Sequence, residues 1–323
     1  MALDAEMLVK GAAYLGASAA IGLGAIGAGV GEGYTAGFAN RAISRQPERA
    51  GDILKNMLIG QALAESAAIF ALVIAMLLVL MEFKVSLISA VALAGAGICM
   101  GFGAFGPGVG AGFPAARACE GIGRQPAASN AISNTMLIGS AVCQTSAIYS
   151  MVIALMLMFF DYSARAFNPN AAGLFAAALS TGLAAIGSGI GEGLTAGGTM
   201  QTIARQPLSA SRATASMLVA QAVAETPAIF GLLISLVLVF KIYPPTNTII
   251  TDAALIGAGI SMGLGGIGPG IGSGVAGEYA LKWLGRNEET AGALTRTMLV
   301  GQAVSQSTSI YAMIIALVLI FVI

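Results

Sequence analysis

The sequence predicts an all-α membrane protein of eight transmembrane helices arranged as four tandem helical hairpins. Three observations predict it. Hydrophobic residues make up 57% of the chain and charged residues only 9%, whereas a soluble domain carries about 25% charged residues. Arg45-Gln46-Pro47 recurs as Arg124-Gln125-Pro126 and Arg205-Gln206-Pro207, with a degenerate fourth copy at Arg286-Asn287-Glu288. From 45 to 124, 205 and 286 the steps are 79, 81 and 81 residues, and Glu65, Gln144, Glu225 and Gln306 follow one another at the same steps. Two landmarks with one spacing secure an internal repeat. Finally, each repeat holds two apolar segments of the length that spans a bilayer, about 20 residues.

The first hairpin covers residues 1–83, with spans at roughly 8–39 and 53–80. The others cover residues 84–165, 166–243 and 244–323. In each, the first span runs into the Arg-Gln-Pro loop. The residue before proline avoids the α region, so the helix breaks there. Eight spans place both chain ends on one side. Arg41, Arg45, Arg49, Lys55, Arg117, Arg124, Arg205, Arg212, Lys282, Arg286 and Arg296 lie at the loops inside the hairpins, and only Lys10, Lys84, Arg165 and Lys241 lie on the other side. The positive-inside rule therefore puts the Arg-Gln-Pro loops in the cytoplasm.

The first helix of every hairpin is glycine-rich, as at Gly22, Gly24, Gly27, Gly29, Gly31 and Gly33. Helices without side chains approach closely in lipid, so these four form a crowded inner layer. The strings also contain GxGxxG-like patterns, but a phosphate loop needs a strand–turn–helix context that a membrane span does not supply. Histidine is absent and the net charge is zero, which excludes histidine-based chemistry and gives no face for nucleic acid. Cys99, Cys119 and Cys143 match no zinc or redox spacing and read as small packing residues. The first ten residues carry Asp4 and Glu6 and no basic cluster, so no cleavable signal peptide is expected.

Glu65 sits inside the apolar run 57–80. An ionisable group there is costly and points to an ion or proton site. Glu32 lies 14 residues before Gln46 and Glu65 lies 19 after it, about 21 and 28 Å of helix, less a few loop residues on the longer side, so the two sit at similar depth. Repeat three has the same pair, Glu192 and Glu225, whereas repeats two and four have Ala111 with Gln144 and Ser273 with Gln306. The carboxylates come and go together, as one unit. A second stripe on the same helices follows the opposite rule. It reads Leu63, Ser66, Phe70; Val142, Thr145, Tyr149; Val223, Thr226, Phe230; and Val304, Ser307, Tyr311. The tyrosines occur only where the carboxylates are missing. The stripe is rotated away from the carboxylate, so a site forms between neighbouring hairpins: one gives carboxylates, the other hydroxyls and a backbone carbonyl. The order around the assembly stays open. The plain alternatives are hydroxyls bonding back to their own helices, tyrosines that merely pack, and Gln144 and Gln306 as neutral fillers. Glu278 reads as a solvated end charge; Glu48, Asp52, Glu288 and Glu289 read as loop charges.

In combination, the strings Gly29-Val30-Gly31-Glu32-Gly33-Tyr34, Arg45-Gln46-Pro47 and Gly60-Gln61-Ala62-Leu63-Ala64-Glu65-Ser66 resemble the c-type proteolipid (the ring-forming rotor proteolipid) of rotary ATP synthases, four times over. The loops are like the F-type family. The fusion and the missing alternate carboxylates are more like V-type proteolipids. The resemblance implies a ring of hairpins (a c-ring) turning against a stator a subunit, with central-stalk subunits on the loops at Arg45, Gln46, Pro47, Arg124, Gln125, Pro126, Arg205, Gln206 and Pro207. It implies membrane-lipid contact, no catalytic residue, no organic cofactor, and residence in a prokaryotic inner membrane. The Na⁺-binding members place ligands at the positions of Glu32, Glu65, Glu192 and Glu225, with Val142, Thr145 and Tyr149, and Val304, Ser307 and Tyr311, completing them. Oxygen ligands suit such a cation. One proton and one Na⁺ neutralise a carboxylate pair, and so do two protons, so H⁺ stands as the alternative cargo. Halving the sites lowers the ions moved per turn, which favours ATP-driven pumping. An eight-span secondary transporter is a rival, but such folds use inverted repeats and these are parallel. A structural or fusion proteolipid is another, and it would not need Glu65 or Glu225.

Overall fold

The structure is a computed structural model that describes residues 4–246, 249–286 and 288–322. Asn287 of the fourth loop and residues 247–248 of the last linker lie outside them. Among the described residues all regular structure is helical: α1 (Ala5–Arg45), α2 (Ala50–Leu80), α3 (Leu87–Arg124), α4 (Ser129–Val142), α5 (Thr145–Phe159), α6 (Phe167–Arg205), α7 (Ala210–Phe240), α8 (Ile249–Leu284) and α9 (Ala291–Phe321). They make eight membrane spans, because α4 and α5 together form the fourth.

The hairpin turns follow from the proline. Gln46, Gln125 and Gln206 adopt φ near −138° with ψ of 70° to 84°, outside the helical region, as the following proline demands. Each still closes the helix behind it, Gln46 N donating to Ala42 O at 3.0 Å. A single 3₁₀ turn beginning at Pro47, Pro126 or Pro207 then leads into the return helix. The degenerate loop makes its 3₁₀ turn at Glu288–Thr290 without proline.

The glycine-rich helices α1, α3, α6 and α8 lie side by side in chain order as an inner row, and α2, α4–α5, α7 and α9 form an outer row. Each of the first three outer helices packs on its own inner partner and on the next one along. The inner contacts are backbone to backbone. A Cβ on Gly110 would overlap Gly189 O, and one on Gly191 would overlap Gly270 O, so side chains are excluded on steric grounds. Outer helices touch one another far less. Each hairpin is thus a wedge, and the row curves with glycine on its concave side. The two ends of the row, α1–α2 and α8–α9, stay open.

The linkers on the far side tie neighbouring hairpins. Lys84 pairs with Asp161, joining the two ends of hairpin 2 where its linkers begin. Arg165 Nη1 donates to Val239 O at 2.8 Å and Lys241 Nζ to Ile320 O at 2.5 Å. In the last two, a cation sits on the carbonyl end of a following outer helix, where the helix dipole favours it.

Candidate functional site

The fourth span is interrupted at Cys143–Gln144. Gln144 N bonds to Ala141 O at 3.1 Å, a tighter turn than the α-helix makes, and the Thr145 hydroxyl bonds to Val142 O at 2.8 Å. A hydroxyl bonding back to its own backbone competes with the helix. One turn beyond the break Tyr149 lies against α7, where its hydroxyl donates to Glu225 Oε1 at 2.6 Å. The partner of Glu225 is therefore the preceding hairpin.

Glu192 stands behind this pair, fully buried, with neither carboxylate oxygen hydrogen-bonded. Gln221 closes the side towards the hairpin loop, one turn away. Its Nε2 reaches Glu192 O at 3.1 Å and Gly139 O at 2.9 Å, joining hairpins 2 and 3. Two carboxylates, one hydroxyl donor and the carbonyl end of a broken helix thus meet at one hairpin boundary. A carboxylate buried without a partner needs a proton or a cation to neutralise it.

The alternate boundaries are plugged. Gln144 Nε2 donates to Leu63 O at 3.0 Å, and Gln306 Nε2 to Val223 O at 2.9 Å and to Ser273 Oγ at 2.9 Å. In each case the amide takes the carbonyl two residues before the neighbouring glutamate. By the repeat, the carbonyl in that place on the hairpin preceding that of Glu225 is Val142 O, which accepts from the Thr145 hydroxyl.

Glu32 and Glu65 lie at the open α1–α2 end, Glu65 exposed and Glu32 half-buried. Val304 and Tyr311, 67% and 62% exposed, lie at the opposite open end on α9 with Ser307. One chain does not bring these groups together. The serines and threonines of the stripe all bond to their own helices: Ser66 to Ala62 O and Thr226 to Ala222 O four residues back, Thr145 to Val142 O and Ser307 to Val304 O three back. The shorter reach occurs in the two repeats that carry tyrosine.

Several residues are not evident from the sequence alone. The glutamines at 61, 221 and 302 form a polar belt, each donating to an inner-helix carbonyl, for example Gln61 to Glu32 O at 3.2 Å; their recurrence at the repeat spacing was the available signal. Glu120 is buried and held by Arg117 at 3.2 Å and Arg124 at 2.7 Å. It replaces the Arg41 of repeat one, so the repeat hides it. Glu278 is half-buried, its backbone against Gly198, rather than a solvated end charge. At the loops, Arg124 is engaged by Glu120, and Arg205 Nη1 donates to Lys282 O at 3.0 Å. The three cysteines are free and buried.

Eight spans in tandem hairpins, with the Glu192 carboxylate buried at mid-helix between two of them, define a multi-pass membrane proteolipid. The ATP synthase C-subunit family matches this sequence four times, at residues 15–78, 94–157, 175–238 and 256–319. The A-type ATP synthase subunit K of Methanocaldococcus jannaschii is 31% identical over 244 residues, 73% of this chain and 99% of that protein. The ATP synthase c-subunit of Petrotoga mobilis is 47% identical over 68 residues, 21% of this chain and 71% of that protein, and that of Alkaliphilus oremlandii 48% over 73 residues, 23% and 82%. The chain belongs to the ATP synthase C-subunit family, as a fused, four-hairpin rotor protein. Membership implies assembly with other ring proteolipids and an a subunit.

Proposed function

We propose that this rotor protein holds two Na⁺ sites per four hairpins. One lies within the chain, from Glu192, Glu225, Val142, Thr145 and Tyr149. The other lies between chains, where Val304, Ser307 and Tyr311 of one copy cover Glu32 and Glu65 of the next. The observation that carries this reading is the Tyr149–Glu225 hydrogen bond across a hairpin boundary, beside a buried Glu192 with two unpartnered oxygens. The edge groups repeat that arrangement split in two, so head-to-tail copies regenerate it at every second boundary. Such a heterologous contact closes into a ring when its rotation allows.

Hard oxygen donors favour Na⁺, and a pair with two protons is the H⁺ reading. Hairpin loops in the cytoplasm of a prokaryotic cell, a central stalk on those loops and lipid around the ring complete the proposal. With half the sites of a ring bearing a carboxylate in every hairpin, each turn moves fewer ions. One charge across 100 mV is worth about 2.3 kcal/mol, so the complex works against steeper gradients and favours ATP-driven pumping over synthesis. The parallel repeats, plugged at alternate boundaries, speak against an eight-span secondary transporter.

The test is labelling of Glu65 and Glu225 by dicyclohexylcarbodiimide, which attacks protonated buried carboxyls, with and without Na⁺. Protection of both by Na⁺ supports the sodium reading. Labelling that Na⁺ leaves unchanged makes the rotor proton-coupled.

A further inference from the structure

Pro227 follows Glu225 by two residues, where repeat one has Ala67. Proline has no N–H to give, so Val223 O loses its helical donor, and two neighbours take up the disturbed turn. Gln306 of α9 supplies Val223 O at 2.9 Å. Ser188 of α6, itself fully buried, accepts from Ala228 N at 3.2 Å and donates to Glu225 O at 3.4 Å. The peptide that bears the carboxylate is thereby tied to the inner helix.

Glu65 has a different footing. Leu63 O is taken by Gln144 as Val223 O is by Gln306, so the amide clamp is common to both. The place of Ser188 in repeat one is Ala28, which has no hydroxyl. Ser66 bonds within its own helix, to Ala62 O at 3.0 Å. The two carboxylates share their glutamine neighbours and, by repeat, their tyrosines, but only one has the serine pin.

We propose that Ser188 and Pro227 are positioning residues that make the two carboxylates of each chain unequal, holding Glu225 inward so that it leaves its site more slowly than Glu65. The proposal rests on the reading of both as ion carriers. A carboxylate must swing out of its site to exchange its ion, and the swing is slower when its own peptide is tethered. One hydrogen bond of ordinary strength corresponds to about a fivefold difference. A ring of these chains then alternates quick and slow sites.

Intact rings are treated with dicyclohexylcarbodiimide and modification at Glu65 and Glu225 is followed in separate peptides of the same sample by mass spectrometry. Glu225 is expected to react about fivefold more slowly. Ser188→Ala brings it to the Glu65 rate, and Ser188→Thr restores the difference, which a general loosening of the fold would not do. Should Ser188→Ala rings fail to assemble, the reciprocal double substitution Ala28→Ser with Ala67→Pro is expected to slow Glu65 instead. Equal rates in the wild type, or a difference that none of these substitutions moves, overturn the proposal and leave the ion-carrying role standing. No reaction at either carboxylate overturns both.

Discussion

Tyr149 is the sharpest place to perturb the site. Its hydroxyl donates to Glu225 Oε1 at 2.6 Å. Hydrogen bonds to charged groups contribute about 1.5–3 kcal/mol, and each 1.4 kcal/mol or so is tenfold. Tyr149→Phe keeps the ring and removes only the hydroxyl, so Na⁺ affinity at this site should fall by about 10- to 100-fold. The assay is the Na⁺ concentration that half-protects Glu225 from carbodiimide, read beside Glu65 in the same sample. The Glu225 midpoint should rise and the Glu65 midpoint stay. Tyr311→Phe should do the reverse, through the neighbouring copy. A Tyr149→Phe ring in which Glu65 shifts, or neither residue shifts, would refute the assignment of hydroxyl donor to the preceding hairpin.

Three further outcomes follow from the packing. Gln306→Leu strips the donor from Val223 O, which Pro227 has already deprived of its helical partner, and should cost about 1–3 kcal/mol of stability; Gln144→Leu faces Leu63 O inside the continuous α2 and should cost less in the same thermal-unfolding comparison. Gly110→Val drives a side chain into Gly189 O and should abolish assembled rings on size-exclusion chromatography, whereas Gly29→Ala, with nothing within 4 Å, should assemble unless the position meets another copy. At the outer linker, Lys84 foremost and then Ser163 hold the Asp161 carboxyl well below the ordinary carboxylate range. Its stabilising effect is therefore present above the unfolded value, about pH 4, and is lost as pH falls through the lower folded value. Asp161→Asn should flatten that acid limb in a pH series of thermal midpoints.

Much of this was legible in the residues. Proline after glutamine announced the first three turns because a pre-proline residue disfavours the helical region, and the glycine runs announced the inner row because only backbone fits at its contacts. The alternation of Glu32–Glu65 and Glu192–Glu225 with Tyr149 and Tyr311 pointed to contact between hairpins, and Tyr149 does reach Glu225 across one boundary. What the sequence left open was direction, since a repeat read along the chain is the same whichever neighbour supplies the hydroxyls. The packing of α5 on α7 settles that for Tyr149. The break at Cys143–Gln144 was hidden because it contains neither proline nor glycine, and the same hydroxyl bond in repeat four, Ser307 to Val304 O, leaves α9 continuous. Ser188 was hidden because its role depends on a proline 39 residues away on another helix.

Everything proposed for the ring depends on two ion sites for four hairpins, and the amount of ²²Na⁺ retained per chain by purified rings measures that number. Two per chain are expected, one in Glu225→Gln and none in the double variant Glu65→Gln with Glu225→Gln. Four per chain, or retention that survives the double variant, would contradict it.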